Sequence, residues 1–161
     1  DTCKGNDEST WRRPNRRYLY QGIYLPSVIS EACGKLVIGI DTSGSIDDDV
    51  LRTFMSEVVG ILRTVVPESV HLLYWDTSVC RHEVYMPDEY DRLASTTKPA
   101  GGGGTDARCV QHYIDEHRID PVAIVMLTDG YVSAWGTYKS PVIWCINNTS
   151  VTAPFGVTCR I

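Results

Sequence analysis

Four short, nearly unbroken apolar runs constrain the fold of this chain more than any other feature: Leu36-Val37-Ile38-Gly39-Ile40, Val70-His71-Leu72-Leu73-Tyr74-Trp75, residues 122–127 and Val142-Ile143-Trp144-Cys145-Ile146. Runs of this length, without polar alternation, suit strands covered on both faces. Between the first two, Val50, Phe54, Val58 and Leu62 recur every fourth residue, with Leu51, Met55 and Val59 beside them. So wide an apolar stripe predicts a well-buried helix, ended before Pro67. Ser45 is expected to cap it, with Asp47 and Asp48 in the favourable first turn. Residues 88–95 and about 107–117 also read as helical. Strands alternating with helices predict an α/β, Rossmann-like fold: a mostly parallel sheet with helices on both faces. Residues 79–86 alternate like a hairpin partner and predict one antiparallel edge strand; residues 156–161 suit a final strand.

The 161 residues fit one such domain. The regular pattern starts at Lys35, which divides the chain into an irregular basic and aromatic leader, 1–34, and a folded domain, 35–161. In the leader, Lys4, Arg12, Arg13, Arg16 and Arg17 oppose Asp1, Asp7, Glu8 and Glu31, for a net +1; the domain therefore carries −6 of the total −5. An acidic domain argues against nucleic-acid binding, and Pro14 makes a DNA-reading helix from the arginine cluster a poor alternative. No apolar run approaches the roughly 18–20 residues that span a membrane. The start, Asp1-Thr2-Cys3, reads as a processed chain or a piece of a longer one.

Polar motifs stand where the strands end. In open α/β sheets ligands bind at the carboxyl ends of strands, near the point where strand order reverses. Asp41-Thr42-Ser43-Gly44-Ser45 follows the first run, Thr128-Asp129-Gly130 follows the third, and Gly101-Gly102-Gly103-Gly104-Thr105-Asp106 precedes a helix. Oxygen groups at Asp41, Ser43 and Ser45 can turn towards one point, which suits a small hard cation such as Mg²⁺. The plain alternative is a capped helix and a hydrogen-bonded turn. The glycines read either as a flexible linker or as a close backbone approach to a ligand. They are not a phosphate loop, because no lysine precedes Thr105.

Taken together, Asp41-x-Ser43-x-Ser45, Thr105 and Thr128-Asp129-Gly130 resemble the metal-ion-dependent adhesion site of von Willebrand factor A (VWA) domains. The resemblance implies a VWA-like sheet. It also implies Mg²⁺ or Mn²⁺ held directly by Ser43, Ser45 and Thr105, with Asp41 and Asp129 acting directly or through water. An ion held by neutral hydroxyls keeps much of its charge, so a partner's Glu or Asp carboxylate is expected to complete its shell. Trp11-Arg12-Arg13-Pro14-Asn15-Arg16-Arg17, Tyr24-Leu25-Pro26-Ser27 and the site motifs are further similar to one bacterial and phage family. That family comprises predicted metal-dependent peptidases with a VWA-like C-terminal domain, often accompanying MoxR-type AAA+ ATPases. Its H-E-x-x-H motif is absent here: His82-Glu83 is followed by Met86 where the second histidine belongs. The expectation is thus a non-enzymatic, metal-dependent protein-binding module. Its partner is an AAA+ ATPase or a helical domain of the same protein, with no nucleic acid or membrane involved.

Two rival readings follow from other residues. A haloacid-dehalogenase-type phosphatase also ends its first strand in Asp, but needs a second acid where Ser43 stands. A secreted adhesion domain is favoured by the sequons at Asn147 and Asn148 and by six cysteines, at 3, 33, 80, 109, 145 and 159. Those cysteines have no metal-site spacing, and several lie in apolar segments, which favours reduced thiols in a cytoplasmic protein. Trp75 and Trp144 read as core and Asp76 as a turn residue. Asp106 either caps a helix or joins the site, and Trp135 is expected to flank the site and anchor a partner. The acidic excess is expected to gather around the cation at Asp41, Asp47–Asp49, Asp106 and Asp129.

Overall fold

The first apolar run forms β1 (Lys35–Asp41), at the centre of a sheet. A computed structural model describes residues 34–42, 46–64, 66–95, 104–147 and 150–160; residues 1–33 of the leader, Ser43 and Ser45 lie outside them. After β1 come α1 (Asp48–Thr64), β2 (Ser69–Trp75), β3 (Val79–Tyr85), a 3-10 helix (Pro87–Ser95), α2 (Arg108–Glu116), β4 (Pro121–Thr128), β5 (Val142–Ile146) and β6 (Val157–Arg160). Among the described residues these six strands form one sheet in the order β3-β2-β1-β4-β5-β6, with β3 antiparallel and the others parallel. Strand order reverses between β1 and β4, and the expected edge strand is β3.

The period of two in each strand sorts its side chains between two cores. Leu36, Ile38 and Ile40 of β1, Val70 and Leu72 of β2 and Val125 and Leu127 of β4 face α1 and the 3-10 helix. Val37, Leu73, Ile124, Met126 and Trp144 face α2. Helices thus cover both faces. The i, i+4 stripe of α1 buries Leu51, Phe54, Met55, Val58, Val59 and Leu62, each contributing roughly 1.5–3 kcal/mol relative to exposure. Gly39 answers to the other core, because a Cβ there would lie 2.5 Å from Met126 Sδ and 3.2 Å from Trp75 Nε1. Both tryptophans expected in the core, Trp75 and Trp144, are fully buried.

The start of α1 differs from expectation. Asp47, not Ser45, caps the helix: its carboxylate accepts the Val50 N–H at 2.9 Å and its carbonyl accepts the Leu51 N–H at 3.0 Å. The sequence offers two capping residues here, and the one nearer the helix takes the role. No described helix is long and apolar enough to cross a membrane.

Candidate functional site

Asp41 and the Thr128-Asp129-Gly130 motif stand at the carboxyl ends of β1 and β4, the two strands that flank the reversal of order. Ile40 pairs with Leu127 in register, so the next residues, Asp41 and Thr128, emerge on the same side of the sheet. The Thr128 hydroxyl donates to Asp41 Oδ2 at 2.7 Å and accepts the Gly130 N–H at 3.2 Å. Asp129 Oδ1 accepts the Tyr131 N–H at 3.0 Å, closing a tight turn. Gly130 has φ +91°, and a Cβ there would lie 2.7 Å from Val151 Cγ1. Asp41 is fully buried and Asp129 is 5% exposed. Two buried carboxylates at the ends of adjacent strands are favourable only with strong compensation.

Thr105 reaches the same end of the sheet by backbone bonds. Its carbonyl accepts both the N–H and the hydroxyl of Ser133, each at 2.8 Å. The next residue, Asp106, donates its N–H to the Asp76 carbonyl at 2.8 Å and bridges to Ala134. The entry to α2 is thereby tied to the turn after β2 and to the loop after β4. Gly104 passes so close to that turn that a Cβ would lie 2.6 Å from the Thr77 methyl. For this glycine the close approach is to protein; Gly101–Gly103 lie outside the described residues.

Of the five expected ligands, Asp41, Thr105 and Asp129 therefore stand at strand ends or loops on the carboxyl side of the sheet. Ser43 and Ser45 lie outside the described residues. Between Asp41 and Ser43, Thr42 turns inwards: its N–H and hydroxyl both donate to the Trp75 carbonyl, at 3.0 and 3.2 Å. Among the described residues no group of three or more His, Cys, Asp or Glu could hold a metal ion.

Several acidic residues expected around the cation are committed elsewhere. Asp47 caps α1, and Asp49 pairs with Arg52 at 2.9 Å on the exposed face. Asp106 accepts the Arg108 backbone N–H at 3.0 Å and its guanidinium at 2.8 Å. The arginine holds that carboxyl below its usual range. Local partners win because a side-chain bond two or three residues away costs little chain entropy. Asp76 accepts the Thr77 and Ser78 N–H groups, as a turn residue does.

Trp135 is also not the exposed anchor expected. It stacks edge-to-face on Trp144 at 4.8 Å and packs on the α2-side core. The exposed aromatic beside the site is Tyr131, at 67%. Nothing in its own sequence context marked it. Thr128 was visible as part of a motif, but its hydroxyl partner, 87 positions away, was not.

A sheet with this order, one antiparallel edge and acidic strand ends at its reversal point defines a VWA-type Rossmann-like domain. Comparison with known families agrees: residues 36–161 match the family described as VWA-like domain (DUF2201), and the chain belongs to it. It is also 31% identical over 130 residues, 81% of its length, to an uncharacterized protein of Thermotoga maritima. The chain spans about 30% of the length of that relative.

Proposed function

We propose that this domain is a divalent-cation-dependent protein-binding module. Asp41, Ser43, Ser45, Thr105 and Asp129 would hold Mg²⁺ or Mn²⁺ between them. The observation that carries the reading is the buried Asp41 carboxylate, fixed by Thr128, with Asp129, also buried, following Thr128 at the reversal of strand order. The donor chemistry fits the ion: two carboxylates and three hydroxyls are hard oxygens of the kind Mg²⁺ prefers. A cation would also compensate the buried acids. When bound, the ion supplies a positive centre that accepts a carboxylate from outside. The protein's part is positional. Thr128 orients Asp41, the Asp129–Tyr131 turn holds Asp129, and Ser133 fixes the backbone of Thr105.

The partner is then a protein presenting Glu or Asp, with Tyr131 as the exposed contact at the rim. In the whole protein that partner is an AAA+ ATPase or another domain of the same chain, a proposal that rests on family resemblance. The test is thermal unfolding with Mg²⁺, Mn²⁺ or a chelator. The reading expects Tm to rise with either ion and return to baseline with chelator; an unchanged Tm at millimolar metal speaks against it.

A further inference from the structure

Two of the cysteines stand opposite one another. Cys145 on β5 and Cys159 on β6 are register partners in neighbouring parallel strands. Both side chains are buried, at 0% and 1% exposure, in the core that faces α1. Neighbouring strands lie about 4.8 Å apart, within the roughly 4.4–6.8 Å between Cα atoms that a disulfide spans. Cys80, by contrast, is exposed on β3, and Cys109 is half-buried against the core on the opposite side of the sheet.

We propose that Cys145 and Cys159 form a reversible dithiol–disulfide pair, oxidised by hydrogen peroxide, that staples β6 to β5. The Cys159 thiolate attacks the peroxide, whose O–O bond breaks. Cys159 becomes a sulfenic acid, and the displaced hydroxide leaves as water after taking a proton. The Cys145 sulfur then attacks Cys159 sulfur. The S–S bond forms, the S–O bond breaks, and the second hydroxide leaves as water with the Cys145 proton. The two sulfurs together lose two electrons, which reduce one peroxide. Cys159 suits the first role, because interaction with the Cys145 thiol draws its pKa down, helped by Arg160 and opposed by burial and by Glu57 of α1. The same interaction, with burial, pushes Cys145 up.

The staple lies at one edge of the sheet. Among the described residues, β6 has four residues and one neighbouring strand. Its Arg160 guanidinium bonds the Val151 carbonyl and the Thr152 hydroxyl, and Val151 packs against Gly130, next to Asp129. Edge strands open locally at low cost, which gives the peroxide access to Cys159. Once formed, the disulfide opposes that opening.

The test treats the full chain with hydrogen peroxide, alkylates remaining thiols under denaturing conditions and maps peptides by mass spectrometry. The expected product links the Cys145 and Cys159 peptides, lighter by two hydrogens and reversed by dithiothreitol. The oxidised protein should show an unfolding equilibrium constant lower by on the order of 100-fold, as expected for a ring of about 15 residues. Cys145→Ala should lose both effects and leave Cys159 as an oxyacid. Recovery of both cysteines as free thiols after peroxide has oxidised Cys80, or linkage of either to another cysteine, overturns the proposal. Both of those results are read on the wild-type chain and do not depend on the variant folding.

Discussion

Asp41 and Thr128 lie 87 positions apart in the chain, yet a 2.7 Å hydrogen bond joins their side chains at the ends of two central strands. It follows from parallel register. Ile40 opposite Leu127 leaves the next residue of each strand on one side of the sheet, and a hydroxyl there meets a buried carboxylate. Thr128→Val keeps the shape and removes the donor. Chemical denaturation should show a loss of about 1–3 kcal/mol, the range for a buried acceptor stripped of its partner. Thr128→Ser should recover most of it; equal stability of all three proteins contradicts the assigned bond.

Asp47 and Ser45 separate capping from ligation. Asp47→Ala removes the carboxylate that accepts the Val50 N–H and should cost about 0.5–2 kcal/mol of stability. It should leave Mg²⁺ response intact. Ser45→Ala should do the reverse, with stability nearly unchanged in the absence of metal. Urea unfolding of both variants, with and without Mg²⁺, reads the difference.

Acid should weaken the fold through His71 and His82. His71 Nδ1 and His82 Nε2 are 2.9 Å apart, and His82 Nδ1 meets the Tyr113 hydroxyl at 2.9 Å, joining β2, β3 and α2. Burial, the neighbouring His82 and Lys35 of β1 lower His71 to about 4, while burial and His117 lower His82. The unfolded chain therefore binds more protons between about pH 6.5 and 4. Stability is full above that window and falls as pH drops through it. For half-exposed rings the discounted effect of His71 is about 1–2 kcal/mol. His71→Gln should flatten the profile between pH 7 and 4.5; an unaltered slope assigns the effect elsewhere.

Gly130 should tolerate no side chain. Its φ of +91° and the Val151 methyl at 2.7 Å oppose a Cβ together, so Gly130→Ala should cost about 1–3 kcal/mol. Gly60, exposed on α1 with nothing within 4 Å of its Cβ position, is the control. There alanine should stabilise by about 0.5–1 kcal/mol. Thermal unfolding of the two variants should move in opposite directions.

The sheet was legible in the sequence because strands covered on both faces must be apolar throughout, and each run from Leu36 to Ile146 became a strand. The alternation in residues 79–86 marked the edge strand for the complementary reason, that an edge strand keeps one face open to solvent. What escaped was decided by competition among polar side chains. Asp47, Asp49 and Asp106 resembled a cation's surroundings by composition, but each found a cap or an arginine within three residues. Trp135 and Tyr131 occupy one loop, and only packing against Trp144 determined which of them is covered. The pairing of Cys145 with Cys159 required the β5–β6 register, which no local pattern encodes.

The proposed centre of binding is a divalent cation held by Asp41, Ser43, Ser45, Thr105 and Asp129. Isothermal titration of Mg²⁺ and Mn²⁺ tests it most directly, in acetate buffer so that a free carboxylate can stand for the partner's. The wild-type chain should bind one ion, and Ser43→Ala and Asp129→Ala should each weaken binding at least tenfold while remaining folded by circular dichroism. Identical titrations for the wild type and both folded variants would contradict the account.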